Sequence, residues 1–177
     1  FFTSGGTEAD NWAVFSTAKR FGKKHKHIIT TAIEHHAILN CMKSLEAQGY
    51  EVTYLQPDRL GQITLDDLRA ALRKDTFLVS IMMVNNEVGS VMPIAQMAKL
   101  THKLCPDAIF HTDAVQGYLK CRLAPAALRA DLVTVSAHKI NGPKGVGALL
   151  VDGEVMKALS ARGVRYLATR TCASQLK

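Results

Sequence analysis

Residues 76–84 read TFLVSIMMV. The run is nearly all apolar and shows no alternation between an inside and an outside. A strand of that composition is expected to be buried on both faces, and such strands belong to parallel sheets covered by helices. The flanks agree. Upstream, Thr64 opens TLDDLRAALRK with Asp67 three residues on, a capping box with Asp in place of Glu. Downstream, Pro93 suits the first turn of a helix covering about 94–104.

Moving outward, HIITT (27–31), EVTYL (51–55), AIFHT (108–112), DLVTVS (131–136) and VGALLV (146–151) read as further strands, and FFTS as the end of another. A helix is predicted over about 8–21. Another is predicted over 35–48, where Ile38, Leu39, Met42 and Leu45 form an apolar stripe. Strand then helix, repeated, predicts βαβ crossovers. The expected fold class is therefore α/β: a mainly parallel sheet flanked by helices on both faces. Only a short loop, AHKINGPKG, separates the last two strands, so that pair is expected to be antiparallel. The expected domain is 1–151, and the tail 152–177 has no clear period.

The chain has 177 residues, 47% of them hydrophobic and 21% charged, as expected of one globular domain with a real core. No apolar run approaches the ~18 residues of a membrane span, so no membrane partner is expected. There is no Met start and no signal-peptide pattern, and the chain reads as cut from something longer. Much of the net charge of +7 sits in KRFGKKHKH, Lys19 to His27. An anionic partner such as nucleic acid is one reading; the solvated end of a helix and its turn is the other. No aromatic platform accompanies the cluster and cations suit a helix C-terminus, so no nucleic acid is expected.

Cys41, Cys105, Cys121 and Cys172 lack CxxC spacing, which argues against zinc and against a disulfide framework. A reducing compartment is expected: the cytoplasm, or the mitochondrion in a eukaryote. His35-His36 and His111-x-Asp113 invite a metal reading, but further ligands at matching spacing are missing, so no metal is expected.

Ligands of open parallel sheets collect at the carboxyl ends of the strands. Polar chemistry follows strand after strand here: Gly5-Gly6-Thr7, Glu34-His35-His36, Asn85-Asn86-Glu87, Asp113 with Gln116 three on, and His138-Lys139. TSGGTEADN is a Gly-rich turn into a helix, suited to an anion or to a plain helix cap; it is neither a Walker A loop nor GxGxxG. Asp113 at a strand end suits a metal ligand, a general base or a counter-ion. Lys139 offers a nucleophilic amine or a surface charge. Alone, His35 reads as a helix cap and Asn86 as a turn residue. A phosphate cradle, an amine and a strand-end acid together meet the demands of pyridoxal phosphate.

TSGGTEADN, EHHA, VNNEVG, HTDAVQ and SAHKINGPKG, in this order and spacing, closely resemble the cysteine desulfurases of the nitrogen-fixation and iron–sulfur-cluster type. These belong to the class V aminotransferase group of fold-type-I pyridoxal-phosphate enzymes. The resemblance covers nearly the whole chain to about residue 151. It implies that Lys139 carries the cofactor as a Schiff base and moves protons at the substrate Cα. Asp113 would pair with the pyridine nitrogen, Gln116 with the phenolic oxygen, and His35 would stack on the ring and assist acid–base steps. Asn86 would line the ring, and Gly6, Thr7, Ser136 and His138 would hold the phosphate. Lys144 would be structural.

The implied reaction turns L-cysteine into L-alanine and a protein-bound persulfide. A sulfur-acceptor or scaffold protein and a second copy of the chain are the implied partners. The catalytic cysteine loop, the small domain with its carboxylate-binding arginine, and a threonine that reaches the partner's phosphate are expected outside these residues. The chain alone is therefore expected to hold the cofactor without completing desulfuration. A selenocysteine lyase on the same site, and a non-catalytic piece that keeps the fold, are the competing expectations.

Overall fold

The computed structural model describes residues 1–21, 26–121, 125–153 and 155–156. Their strands and helices alternate as the apolar runs predict. The order is β1 (Phe2–Thr3), α1 (Gly6–Phe21), β2 (His27–Thr31), α2 (His36–Glu46), β3 (Glu51–Leu55), α3 (Leu65–Ala71), β4 (Thr76–Ser80), α4 (Ile94–Leu104), β5 (Ile109–Asp113), β6 (Leu132–Ser136) and β7 (Gly147–Val151). The sheet runs β1-β7-β6-β5-β4-β2-β3. Strands β2 to β6 pair in parallel. β7 pairs antiparallel with β6, as its short connecting loop predicts, and also with β1.

Successive strand residues point to opposite faces of a sheet. Here both faces are buried. Ile28, Leu78, Ile109 and Leu132 pack with Ala9, Ala13, Ile38 and Met42 from α1 and α2. Their neighbours Ile29, Val79, Phe110 and Val133 pack with Leu68, Met97 and Ala98 from α3 and α4. That arrangement explains the missing alternation in the apolar runs. Thr64 caps α3, its side chain accepting from the Asp67 amide while the Asp67 carboxylate accepts from the Thr64 amide, so the capping box is real.

Three expectations need correction. First, the run 76–84 is strand only to Ser80. Ile81 and Met83 still donate to the His111 and Asp113 carbonyls of β5, but Val84 already bridges Val91 on the way back. The ladder toward β2 stops because the Met82 amide is taken by the Glu34 carboxylate instead. Second, Pro93 occupies the N-cap of α4, one position before its first turn. Its carbonyl accepts from Gln96 and Met97, and a cap position requires no N–H from it. Third, His27 is no part of a solvated basic cluster. It is 1% exposed. Its ring bonds the Thr76 and Thr53 hydroxyls at 2.7 and 2.9 Å, and burial lowers its pKa.

Lys19 and Arg20 do fall in the last turn of α1. Lys23, Lys24, His25 and nearly all of the tail, with Cys172, lie outside the described residues. Among the described residues, no helix is long and apolar enough to cross a membrane.

Candidate active site

The chain order reverses between β2 and β4, which are neighbours in the sheet although β3 intervenes in sequence. Crevices beyond the strand ends at such a switch point receive ligands in open α/β sheets. A cavity of about 360 Å³ lies at this edge. That volume suits a small ligand held by a few polar groups.

α1 brings Gly6, Thr7 and Asp10 to the cavity. The first N–H groups of a helix have no intrahelical partner and favour an anion. Glycine at position 6 permits close packing. A Cβ there would lie 2.9 Å from Val115 Cγ2, so the Val115 side chain would have to shift for the helix start to sit this close to the turn after β5. Gly147 on β7 has the same role from the other side, since its Cβ would lie 2.8 Å from the Gly5 Cα.

His35 follows β2 and is the N-cap of α2, its Nδ1 accepting from the Ala37 amide at 3.2 Å. The cap reading and the site reading of His35 hold together: one ring nitrogen starts the helix while the exposed ring lines the cavity. Asn86 reaches the same wall from the loop after β4. Its neighbour Asn85 fixes that loop, accepting from the Glu87 and Val88 amides and donating to the Ile33 carbonyl.

Asp113 closes β5 and is 6% exposed. Its Oδ1 accepts from the Val115 amide at 2.8 Å. Burial pushes its pKa up, and that amide bond and His35 offset part of the rise. Gln116 lies three residues on, in the turn that follows. His138 and Lys139 sit on the short helical turn Ala137–Lys139 after β6. That turn is held from behind. The Gly142 amide donates to the Ala137 carbonyl at 2.8 Å, and a Cβ on Gly142 would meet that same oxygen at 3.0 Å.

Eight of the nine residues singled out in the sequence thus line one cavity: Gly6, Thr7, His35, Asn86, Asp113, Gln116, His138 and Lys139. The ninth, Ser136, is buried behind the wall, its hydroxyl bonded to His138 Nδ1 at 2.8 Å. Lys144 is exposed and does not line the cavity. Nor do the cysteines Cys41, Cys105 and Cys121. His111 is 0% exposed, with its ring nitrogens bonded to the Ser80 and Thr134 hydroxyls at 2.9 and 3.0 Å. Burial lowers its pKa to about 3.

Asp10 escaped the sequence reading, and so did the burial of Glu34. Asp10 is 1% exposed, on the face of α1 that carries Ala13, Val14 and Thr17. Burial first, then Asp113, raises its pKa well above the ordinary value. Glu34 is 4% exposed and burial raises its pKa to about 8. The available signal for Asp10 was an acid at helical spacing on an otherwise small and apolar face.

Known proteins resemble this chain in sequence and fold. The "Cysteine desulfurase IscS" of Methanosarcina thermophila is 47% identical over 151 residues, which is 85% of this chain and 37% of that protein. The protein of the same name from Dictyoglomus turgidum is 49% identical over 150 residues, 85% of this chain and 38% of that protein. The chain thus spans under two fifths of the length of these curated relatives. Among solved structures, a "NifS-like protein" superposes with a TM-score of 0.84 at 41% identity, covering 88% of this chain and 43% of that one. "SspA in complex with cysteine" superposes at 0.80 with 39% identity, covering 85% and 43%. A profile of the class V aminotransferases matches residues 1–171. With the parallel sheet, the switch-point cavity and the sequence likeness in agreement, the chain belongs to the aminotransferase class-V family.

Proposed function

We propose that the cavity binds pyridoxal 5′-phosphate and that the protein is a cysteine desulfurase, with residues 1–151 as its cofactor-binding domain. The observation that carries the reading is the convergence of Asp113 and Lys139, from the ends of neighbouring parallel strands, on the cavity that also receives the start of α1. The donor set fits the cofactor. A helix start kept open by Gly6 suits a phosphate. A buried strand-end carboxyl suits a ring N–H, because a positive charge there offsets the cost of ionising it in a dry site. An exposed amine suits an aldehyde carbon. The relatives named cysteine desulfurase, and the neighbour solved with cysteine, support the choice of substrate.

When bound, the cofactor supplies an aldehyde for amines and a ring that accepts electron density from the substrate Cα. In this reading Lys139 would hold it through its amine and would take and return the substrate Cα proton. Asp113 would hold the ring nitrogen, Gln116 the phenolic oxygen, and His35 would contact the ring and assist proton transfer. Asn86 lines the substrate side. Gly6, Thr7 and His138 bind the phosphate, with the Ser136 hydroxyl holding the His138 ring in place.

The net change is L-cysteine plus an acceptor thiol giving L-alanine plus a persulfide. The acceptor is none of Cys41, Cys105 or Cys121, since none lines the cavity. A sulfur-accepting protein and a second copy of the chain are the partners that the reading implies. Amino-acid analysis of L-cysteine incubated with the natural full-length protein and pyridoxal phosphate tests it. Alanine formed in step with persulfide sulfur supports the reading. Absence of alanine while the cofactor is bound sinks it, and alanine from selenocysteine alone favours a selenocysteine lyase.

A further inference from the structure

The loop after β2 and the loop after β4 hold each other by exchanged side chains. Glu34 of the first accepts the Met82 amide of the second at 2.8 Å. Asn85 of the second donates through Nδ2 to the Ile33 carbonyl of the first at 2.9 Å. Each of these residues stands directly before one that lines the cavity: His35 follows Glu34, and Asn86 follows Asn85. Glu34 and Asn85 do not line the cavity themselves and are buried, at 4% and 5% exposure.

The ties sit where the sheet supplies none. The ladder between β2 and β4 ends at Thr30 and Ser80. Past those positions, among the described residues, no backbone hydrogen bond joins the two segments. Each side chain is also fixed within its own loop. The Glu34 Oε1 that takes Met82 accepts from the Thr31 hydroxyl at 2.8 Å. Asn85 Oδ1 accepts from the Glu87 and Val88 amides, both at 2.9 Å. Packing alone does not call for an acid at position 34. Burying a carboxyl costs free energy, and Glu34 Oε2 has no hydrogen-bond partner among the described residues. What the acid adds is an acceptor for the one amide that the end of β4 leaves over.

We propose that Glu34 and Asn85 are positioning residues: a reciprocal clasp that holds His35 and Asn86 at one spacing for a ligand in the cavity. Walls ordered before binding lower the cost of binding. The inference rests on the proposed function for the identity of the ligand alone; the clasp itself belongs to the cofactor-free protein.

Residue-resolved hydrogen exchange of the cofactor-free full-length protein tests the clasp, and fluorescence titration with pyridoxal phosphate tests its use. Glu34→Ala should speed exchange in both loops, 33–37 and 82–90, although they lie far apart in sequence. Glu34→Gln keeps an oxygen for Met82 and should stay close to wild type. Asn85→Asp keeps the acceptor for Glu87 and Val88 but loses the donor to Ile33, and should loosen the same two loops. Faster exchange confined to one loop, or Glu34→Gln behaving as Glu34→Ala, overturns the proposal. If the variants do not fold, the wild type decides: the Met82 amide, beyond the end of β4, should exchange as slowly as the β4 amides, and exchange at the rate of a solvent-exposed loop overturns the clasp. In the titration, Glu34→Ala should weaken pyridoxal-phosphate binding by about 2- to 10-fold, the worth of one hydrogen bond. Thr64→Ala removes a helix cap that does not line the cavity and should leave binding unchanged, which separates positioning from a general loss of stability. Equal affinity in Glu34→Ala and wild type overturns the positioning role. Wild type that binds no pyridoxal phosphate overturns the proposed function instead, and the exchange result still decides the clasp.

Discussion

The carboxylate of Glu34 reaches across 48 positions of sequence to accept the backbone amide of Met82 at 2.8 Å. The same oxygen accepts from the Thr31 hydroxyl at 2.8 Å, and Asn85 returns a bond to the Ile33 carbonyl at 2.9 Å. Together these bonds tie the loop after β2 to the loop after β4. Those loops carry His35 and Asn86, so Glu34 ties together two walls of the cavity at the switch point of the sheet.

Glu34 makes stability depend on pH in a definite direction. Unfolded, it loses its proton near its ordinary value of 4.5; folded, burial holds the proton to about 8. The folded state binds more protons in between, so this contribution is complete below about pH 4.5 and is lost as pH rises toward 8. At about 1.4 kcal/mol per unit the loss is on the order of 5 kcal/mol. Glu34→Gln keeps an oxygen for Met82 and removes the titration. Its melting temperature should therefore gain on wild type as pH rises from 5 to 8. Parallel curves would contradict the assignment. Glu34→Ala leaves the Met82 amide unpaired and should cost about 1–3 kcal/mol at every pH.

Gly147→Ala tests the packing that holds the Gly-rich turn in place. The new methyl would meet the Gly5 backbone, which cannot rotate away as a flexible side chain can. Chemical denaturation should show a loss of roughly 1–3 kcal/mol. Fluorescence titration should show weaker pyridoxal-phosphate binding, because the start of α1 is displaced. Unchanged binding at reduced stability would separate the turn from the site.

Asp113→Asn should weaken pyridoxal-phosphate binding by about 1.5–3 kcal/mol, the value of a hydrogen bond to a charged group, or roughly 10- to 100-fold in Kd. Because burial opposes the charge of Asp113 in the empty pocket, the variant should be no less stable than wild type without cofactor. A variant that unfolds but binds normally when folded would place Asp113 in the structure and outside the site.

Thr64→Ala should cost about 1 kcal/mol by removing the cap of α3. The partner carboxyl, Asp67, is held below its usual range by two bonds to Thr64. Its share of that stability is present above the ordinary carboxylate range and is lost as pH falls through the folded value. Equal denaturation midpoints for variant and wild type would show that α3 is held by Leu68 packing alone.

Much of the fold was readable because its signals are local. HIITT and EVTYL became β2 and β3 with the expected limits, and the Thr64 box acted through residues three apart. The residues that line the cavity were readable because polar residues follow strand after strand at one edge of the sheet. What the sequence hid was tertiary. The apolar run 76–84 continues past Ser80, but a side chain from another loop takes the next amide and ends the strand. His27 looked like one charge among several until Thr53 and Thr76 enclosed it. Asp10 and Glu34 resemble ordinary helix-start acids in sequence. Only desolvation by strands far away in the chain changes their chemistry.

The most direct test of the account is pyridoxal-phosphate loading, borohydride reduction and peptide mapping of the modified lysine. Lys139 and Asp113 face one cavity while Lys144 faces solvent. The label is therefore predicted on Lys139, absent from Lys144, and lost in Lys139→Ala without loss of fold. Label on any other lysine, or a visible absorbance band that survives Lys139→Ala, would contradict it.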